Sequence, residues 1–185
     1  MYLEIEAKLK VDSLDDVRQR LAQCGAALLS ETVQTDYYFD TPDSELTRAD
    51  ECIRLRRESL ESSERLILTY KGGRQVDDFK KRREINLPVD DAEAVEHLLN
   101  ALGYSRVLAF NKKRSTWHLD RCEVALDELP LIGAFVEIEG PDSDSISQVQ
   151  HRLGLAETRH TTDSYASQIT KEMSRLGLAQ KEVFL

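Results

Sequence analysis

Acids and bases recur at every second position in one stretch of this chain after another. Glu4-Ile5-Glu6-Ala7-Lys8 opens the pattern, and Asp127 followed by Glu137-Ile138-Glu139 closes it. Between them stand Arg54-Leu55-Arg56, Thr69-Tyr70-Lys71, Arg82-Arg83-Glu84-Ile85 and Lys112-Lys113-Arg114. Successive strand residues point to opposite faces, so a spacing of two gathers each set on one surface. One such pair marks no more than a solvated strand. The whole inventory says more: Lys8, Arg54, Arg56, Lys71, Arg82, Lys112 and Arg114 would crowd a single concave surface. Like charges directly opposed on neighbouring strands destabilise each other by up to about 1 kcal/mol per pair. Such a lining calls for an anionic ligand, and arginine forks with lysine point charges in this number suit a polyphosphate.

The carboxylates supply the complement. Glu4 with Glu6, and Glu137 with Glu139, form two same-face pairs, with Asp127 upstream of the second. Oxygen ligands without histidine or cysteine point to a hard divalent cation, Mg2+ or Mn2+. Such an ion bridges phosphate oxygens during phosphoryl or nucleotidyl transfer. Together the two sets read as a site for a metal-chelated polyphosphate.

The elements that position them follow from the residues in between. Ile5, Ala7 and Leu9, Ile53 and Leu55, Leu66, Leu68 and Tyr70, Ile85 and Leu87, and Val136 and Ile138 give the strands an apolar second face. Strand runs are expected at 2–11, 26–40, 51–61, 64–72, 78–88, 104–118, 119–127 and 132–140, with short turns that favour antiparallel pairing. Four helices carry apolar stripes that can cover them. Ser13 caps the first, which ends at Gly25, and Asp90 precedes one with Val95, Leu98, Leu99 and Leu102 aligned. Ile146, Val149 and Leu153 line a third, and Asp163 is expected to cap a fourth bearing Ala166, Ile169, Met173 and Leu176. The fold expected is α+β: an eight-stranded antiparallel barrel with a charged interior, covered outside by helices. The outer face near Asn111, Lys113 and Ser115 is polar and is expected to stay uncovered. One domain over 1–178 is expected, with a loose tail at 179–185.

Composition narrows the partners. At 185 residues with an ordinary apolar fraction, the chain can fold as one unit, and its net charge of -9 excludes general nucleic-acid or acidic-membrane binding. Cys24, Cys52 and Cys122 are odd in number and far apart, fitting reduced thiols, with Cys52 read as core. Without an apolar leader or a span-length stretch, a cytoplasmic protein is expected. A homodimer is compatible with the sequence. The histidines lack ligand spacing, and Gly72-Gly73 lacks the lysine and serine of a phosphate-cradling loop.

The ordered set resembles a known family. Glu4-Ile5-Glu6-Ala7-Lys8 is similar to the ExExK signature of the CYTH family, the triphosphate tunnel enzymes that include class IV adenylyl cyclases and thiamine triphosphatases. Asp36-Tyr37-Tyr38-Phe39-Asp40, the strand motifs above and the Ser164-Tyr165 pair follow in the family's order, over residues 2 to about 170. The resemblance implies metal binding by Glu4, Glu6, Asp127, Glu137 and Glu139. It implies triphosphate binding by Lys8, Arg54, Arg56, Lys71, Arg82, Lys112 and Arg114. Tyr38 and Lys71 stand where the hydrolytic members place a water-activating pair. Asn86 departs from the family, which often has a glutamate there. Lys71 either serves as a base, which neighbouring cations would promote by disfavouring its charge, or only holds phosphate; the former implies an alkaline optimum. The activity implied is a metal-dependent phosphohydrolase on triphosphate, thiamine triphosphate or another small organic triphosphate. The alternatives are class IV cyclisation of ATP and a non-catalytic polyphosphate-binding module.

Overall fold

The computed structural model describes residues 2–59, 63–73 and 80–185, without the side chains of 2–4 and 80–82. Strands β1 (Tyr2–Val11), β2 (Ala27–Asp40), β3 (Cys52–Ser59), β4 (Glu64–Lys71), β5 (Lys80–Val89), β6 (Ser105–Leu119), β7 (Cys122–Leu129) and β8 (Gly133–Glu139) match the expected runs within a few residues. Their order is β2-β3-β4-β5-β1-β8-β7-β6, and β6 pairs back onto β2, so the sheet returns on itself as a barrel. Every pairing among these eight strands is antiparallel.

The barrel is inverted in polarity. Its outward positions carry the core. Ala7, Leu9, Val124, Leu126, Val136 and Ile138 pack under α1 (Leu14–Gln23) and α4 (Ser143–Arg152), meeting Val17, Leu21, Ile146 and Val149. Phe39 and Leu55 pack under Leu99 of α3 (Ala92–Ala101). A third cluster lies on the inward side instead: Phe110, in line with Lys112 and Arg114, and Phe135, in line with Glu137, meet Ile169 and Met173 of α5 (Tyr165–Arg175). Each large aliphatic or aromatic group so buried stabilises the fold by about 1.5–3 kcal/mol. The cover is incomplete: Ile85 and Leu87 on the outer face of β5 are about half exposed. Lys113 on β6 is also exposed, as its polar surroundings predict, whereas Ser115 is buried.

Four local expectations are corrected. The cap of α3 is Asp91 rather than Asp90, its carboxylate accepting from Glu93 N and Ala94 N. The cap of α5 is Ser164, which accepts from Ser167 N, because Asp163 is turned to Lys171 at 2.7 Å. A short helix α2 (Glu45–Arg48) lies between the expected strand runs 26–40 and 51–61, where no helix was expected. Its first N–H groups are taken by a distant carboxylate, Asp40, which accepts from Leu46 N and Thr47 N. Finally, 179–185 is no loose tail. Glu182–Val183 form β9, parallel to β6, with Val183 buried against the α5 cluster.

Candidate active site

The inward positions line one cavity of about 700 Å3. Lys8 from β1, Arg54 and Arg56 from β3, Lys71 from β4, and Lys112 and Arg114 from β6 all reach it, as do Glu6, Glu137 and Glu139. The structure thus brings together the sequence-predicted site residues whose side chains are described. Glu4 and Arg82 face each other in the β1–β5 register, but their side chains lie outside the described residues.

Register decides how the charges are used. Strand by strand it sets an acid across from a base: Lys8 opposite Glu137, Arg56 opposite Asp36, Lys71 opposite Glu84, and Arg114 opposite Asp127. Lys8 Nζ lies 3.2 Å from Glu137 and 3.8 Å from Glu6. Burial pushes the Lys8 ammonium down, but Glu137 and Glu6 outweigh it and hold it above the usual lysine value. Arg56 meets Asp36 through two bonds of 2.6 and 2.8 Å, with Arg54 3.8 Å from the same carboxylate. Burial opposes the Asp36 charge, yet Arg56 and Arg54 prevail and keep its carboxyl well below the ordinary range. Arg54 is steadied from the other side by Thr69, whose hydroxyl donates in turn to Asn86. The asparagine at the family's glutamate position is therefore a link in an arginine-holding chain.

Asp127 is the most enclosed carboxylate of the lumen. It accepts from Lys112 Nζ at 3.1 Å, from Arg114 Nε at 2.6 Å, from Arg114 Nη2, and from the Tyr165 hydroxyl at 2.9 Å. Tyr165 opens α5, and its ring lies beneath Lys8 and Lys112 and edge-on to Phe135. One side chain so ties the helix to the floor of the site.

The two residues that the resemblance implies as a water-activating pair, Tyr38 and Lys71, both line the cavity. Lys71 forms an ion pair of 2.7 Å with Glu84, directly across from it in the β4–β5 register. The lysine whose charge the site disfavours is Lys112. Burial, then Arg114, bring it down to about 7 although Asp127 pulls the other way. Tyr38 stacks on Phe110, and burial with the nearby Asp36 raises its hydroxyl above the ordinary tyrosine value. It therefore stays protonated at neutral pH and can orient a water without being a base.

The donor set for a divalent ion is of the right kind, all carboxylate oxygen. Glu6 and Glu139 are register partners on β1 and β8, with Glu137 next along the strand. Yet among the described residues no three acidic, histidine or cysteine side chains gather as a metal site, and Asp127 is ringed by cations. The fit therefore rests on Glu6 and Glu139, since Glu137 beside them is itself held by Lys8 at 3.2 Å and by Arg114 Nη2.

Sequence reasoning missed several luminal groups. Asp36 stands two residues before Tyr38 and Glu84 two after Arg82, so spacing alone could have placed both inward. Cys52, read as core, lines the cavity two residues before Arg54. The same alternation predicts that, against the usual preference of a thiol for the interior. The role of Asp40 as a cap for α2 had no local signal, because donor and acceptor are six and seven residues apart.

Comparison with known proteins agrees with this geometry. A family model for the CYTH domain matches residues 2–165. The chain is similar to a Methanocaldococcus jannaschii protein named as a candidate adenylate cyclase, at 29% identity over 142 residues, 77% of this chain and 79% of that protein. It is similar to adenylate cyclase CyaB of Aeromonas hydrophila, at 27% identity over 172 residues, 88% of this chain and 86% of that one. Its fold is similar to that of a Hippeastrum protein, an adenylyl cyclase candidate for which a dominant triphosphatase activity is described. The TM-score is 0.70 at 14% identity, over 96% of this chain and 97% of that one.

Proposed function

Since the chain belongs to the CYTH family, we propose that this enzyme is a metal-dependent phosphohydrolase acting on triphosphate or a small organic triphosphate. One observation carries the reading: Lys8, Arg54, Arg56, Lys71, Lys112 and Arg114 converge on a single cavity, and several of them are backed by carboxylates. Cations held this way keep their positions when the ligand is absent, so an arriving phosphate chain meets donors already in place.

In this reading the Arg54–Arg56 and Lys112–Arg114 pairs grip the phosphate chain from β3 and β6, the two strands that flank β2. Lys71, held by Glu84 at 2.7 Å, neutralises developing charge. Tyr38, with its hydroxyl protonated, orients the attacking water. The water oxygen bonds to the terminal phosphorus as the bridging P–O bond breaks, so inorganic triphosphate yields phosphate and pyrophosphate, with the water's proton released. Glu6 and Glu139, with Glu137 and Glu4, would hold Mg2+ or Mn2+. Held there, the ion would supply positive charge to offset that of the phosphate chain.

The second reading is cyclisation of ATP, favoured by the names of the two curated relatives. It needs the ribose hydroxyl to be placed against the α-phosphorus and adenine to be recognised. The luminal aromatic rings are engaged elsewhere: Tyr38 on Phe110, and Tyr165 with Asp127, Lys8 and Lys112. Hydrolysis makes no such demand, and the triphosphatase activity described for the Hippeastrum neighbour supports it. A non-catalytic polyphosphate binder ranks third, because both glutamate pairs are present.

The test is product analysis. Pure protein with Mg2+ or Mn2+ is incubated separately with tripolyphosphate, thiamine triphosphate and ATP, and phosphate, pyrophosphate and cyclic AMP are resolved. Phosphate release from one of the first two is expected. Cyclic AMP as the main product establishes the cyclase instead, and binding without turnover establishes the binder.

A further inference from the structure

Two luminal aspartates stand in the same relation to an arginine. Asp36 is directly across from Arg56 in the β2–β3 register, and Asp127 directly across from Arg114 in the β6–β7 register. In each case Nε and Nη2 of one guanidinium meet the two oxygens of one carboxylate. Both aspartates are buried, at 2% and 0% exposure, and each holds a second cation: Arg54 beside Asp36, Lys112 beside Asp127. The same device therefore occurs twice in the contiguous run β3-β2-β6-β7, and both arginines reach the same cavity.

We infer that Asp127, like Asp36, is a positioning residue that presents its arginine and a second cation to the phosphate chain, and that it is not a ligand of the divalent metal. The inference rests on the reading of the lumen as a triphosphate site. It parts from the set that the family resemblance implies.

The reason is the occupancy of the carboxylate. Asp127 Oδ2 already accepts from Lys112, Arg114 Nη2 and Tyr165, more donors than it has lone pairs. Oδ1 lies against Arg114 Nε at 2.6 Å. A divalent cation coordinated there would sit in contact with two fixed positive charges, and it would have to displace a fork that costs no further ordering as it stands. Glu6 and Glu139 stand differently: they are register partners on adjacent strands, and Lys8 meets Glu6 at 3.8 Å as a single ammonium, not as a two-pronged guanidinium fork.

The two roles separate in experiment. Asp127→Asn and Asp36→Asn are compared with Glu139→Gln by titrating Mn2+ calorimetrically and by measuring tripolyphosphate turnover. The two aspartate variants are expected to bind Mn2+ within about threefold of the parent and to lose about tenfold to a hundredfold in kcat, through a misplaced arginine. Excess Mn2+ does not restore them, and KM does not rise, because removing an acid from an anion site offsets the looser fork. Glu139→Gln is expected to weaken Mn2+ binding by tenfold or more. Asp127→Asn sharing that weakening, or recovering with added Mn2+, overturns the inference. Should Asp127→Asn fail to fold, crystals of the parent soaked with Mn2+ decide by anomalous scattering. A peak on Glu6 and Glu139 with none at coordinating distance from Asp127 is expected, and a peak on Asp127 overturns it. A parent that binds Mn2+ but turns over no triphosphate overturns the hydrolase reading, while the Mn2+ data still assign Asp127.

Discussion

Lys112→Met should make the ligand-free protein more stable and its ligand binding weaker. The Lys112 side chain is 2% exposed, 3.1 Å from Asp127, and shares that carboxylate with Arg114. Burial and Arg114 hold its ammonium at about 7, so the folded barrel disfavours the charge that the unfolded chain keeps. Methionine fills similar space without a charge, and Asp127 retains Arg114 and Tyr165 as donors. Replacing buried charge by a well-packed apolar group is commonly worth about 1–4 kcal/mol. In a chain of this size each kcal/mol moves the melting midpoint by about 2–4 °C, which predicts a rise of about 2–16 °C.

The gain should depend on pH. Native Lys112 sheds its proton near 7, the unfolded chain only near 10.4. Between those values the unfolded state binds more protons, so the parent grows more stable as pH rises. The variant lacks that climb, and its advantage should be largest near pH 6 and shrink toward pH 10. Tripolyphosphate acts in the opposite sense. At a hundredfold excess over its dissociation constant it stabilises the parent by about 2.7 kcal/mol. Losing one charge-assisted contact worth about 1.5–3 kcal/mol leaves the variant a gain of about 0.3–1.3 kcal/mol at that concentration. Differential scanning fluorimetry with chelator, with and without tripolyphosphate, reads both effects. A variant that melts below the parent at pH 6.5, or that keeps the full ligand-induced shift, refutes the reasoning.

Three further outcomes are expected. Tyr38→Phe keeps the stack on Phe110 but loses the hydroxyl, so kcat for triphosphate hydrolysis should fall about a hundredfold with little change in KM or melting; an unchanged kcat removes Tyr38 from water activation. Asp40 accepts from Thr41 N, Leu46 N, Thr47 N and Thr47 Oγ1, and Asp40→Asn should cost about 2 kcal/mol in urea unfolding. Burial pushes the Asp40 carboxyl up, but those bonds hold it below its ordinary value. Its contribution is therefore present above about pH 4 and lost as the solution is acidified, and the variant's stability should fall less steeply there. Truncation after Leu178 removes Val183 from the α5 cluster and the Lys181 carbonyl bond to Ala109 N. It should cost about 3 kcal/mol, lowering the midpoint by about 6–12 °C; an unaltered melt would mean that β9 contributes nothing.

What the chain declares by itself is local and periodic. Alternation at two-residue spacing named the strands, and glycines and polar caps bounded the helices. The sorting of Glu6, Lys8, Arg54, Arg56, Lys112, Arg114, Glu137 and Glu139 onto one face then needed only the geometry of a pleated strand. The hydrophobic intervals likewise required a helical cover. These features belong to single elements, so a linear reading reaches them.

Partnership is not local. Whether Lys71 faces another cation or Glu84, and whether Asp127 is open to a metal or enclosed by Lys112, Arg114 and Tyr165, depends on register between strands and on where α5 docks. A slip of one residue would carry every side chain to the other face, yet the sequence of one strand does not state which residue of the next lies opposite. The β9 strand and the Asp40 cap escaped notice for the same reason, since their partners are distant in sequence. The composition of the lumen was thus set by alternation along each strand. Its chemistry, which cation is held and which carboxylate is spent holding it, was decided by the closure of the barrel.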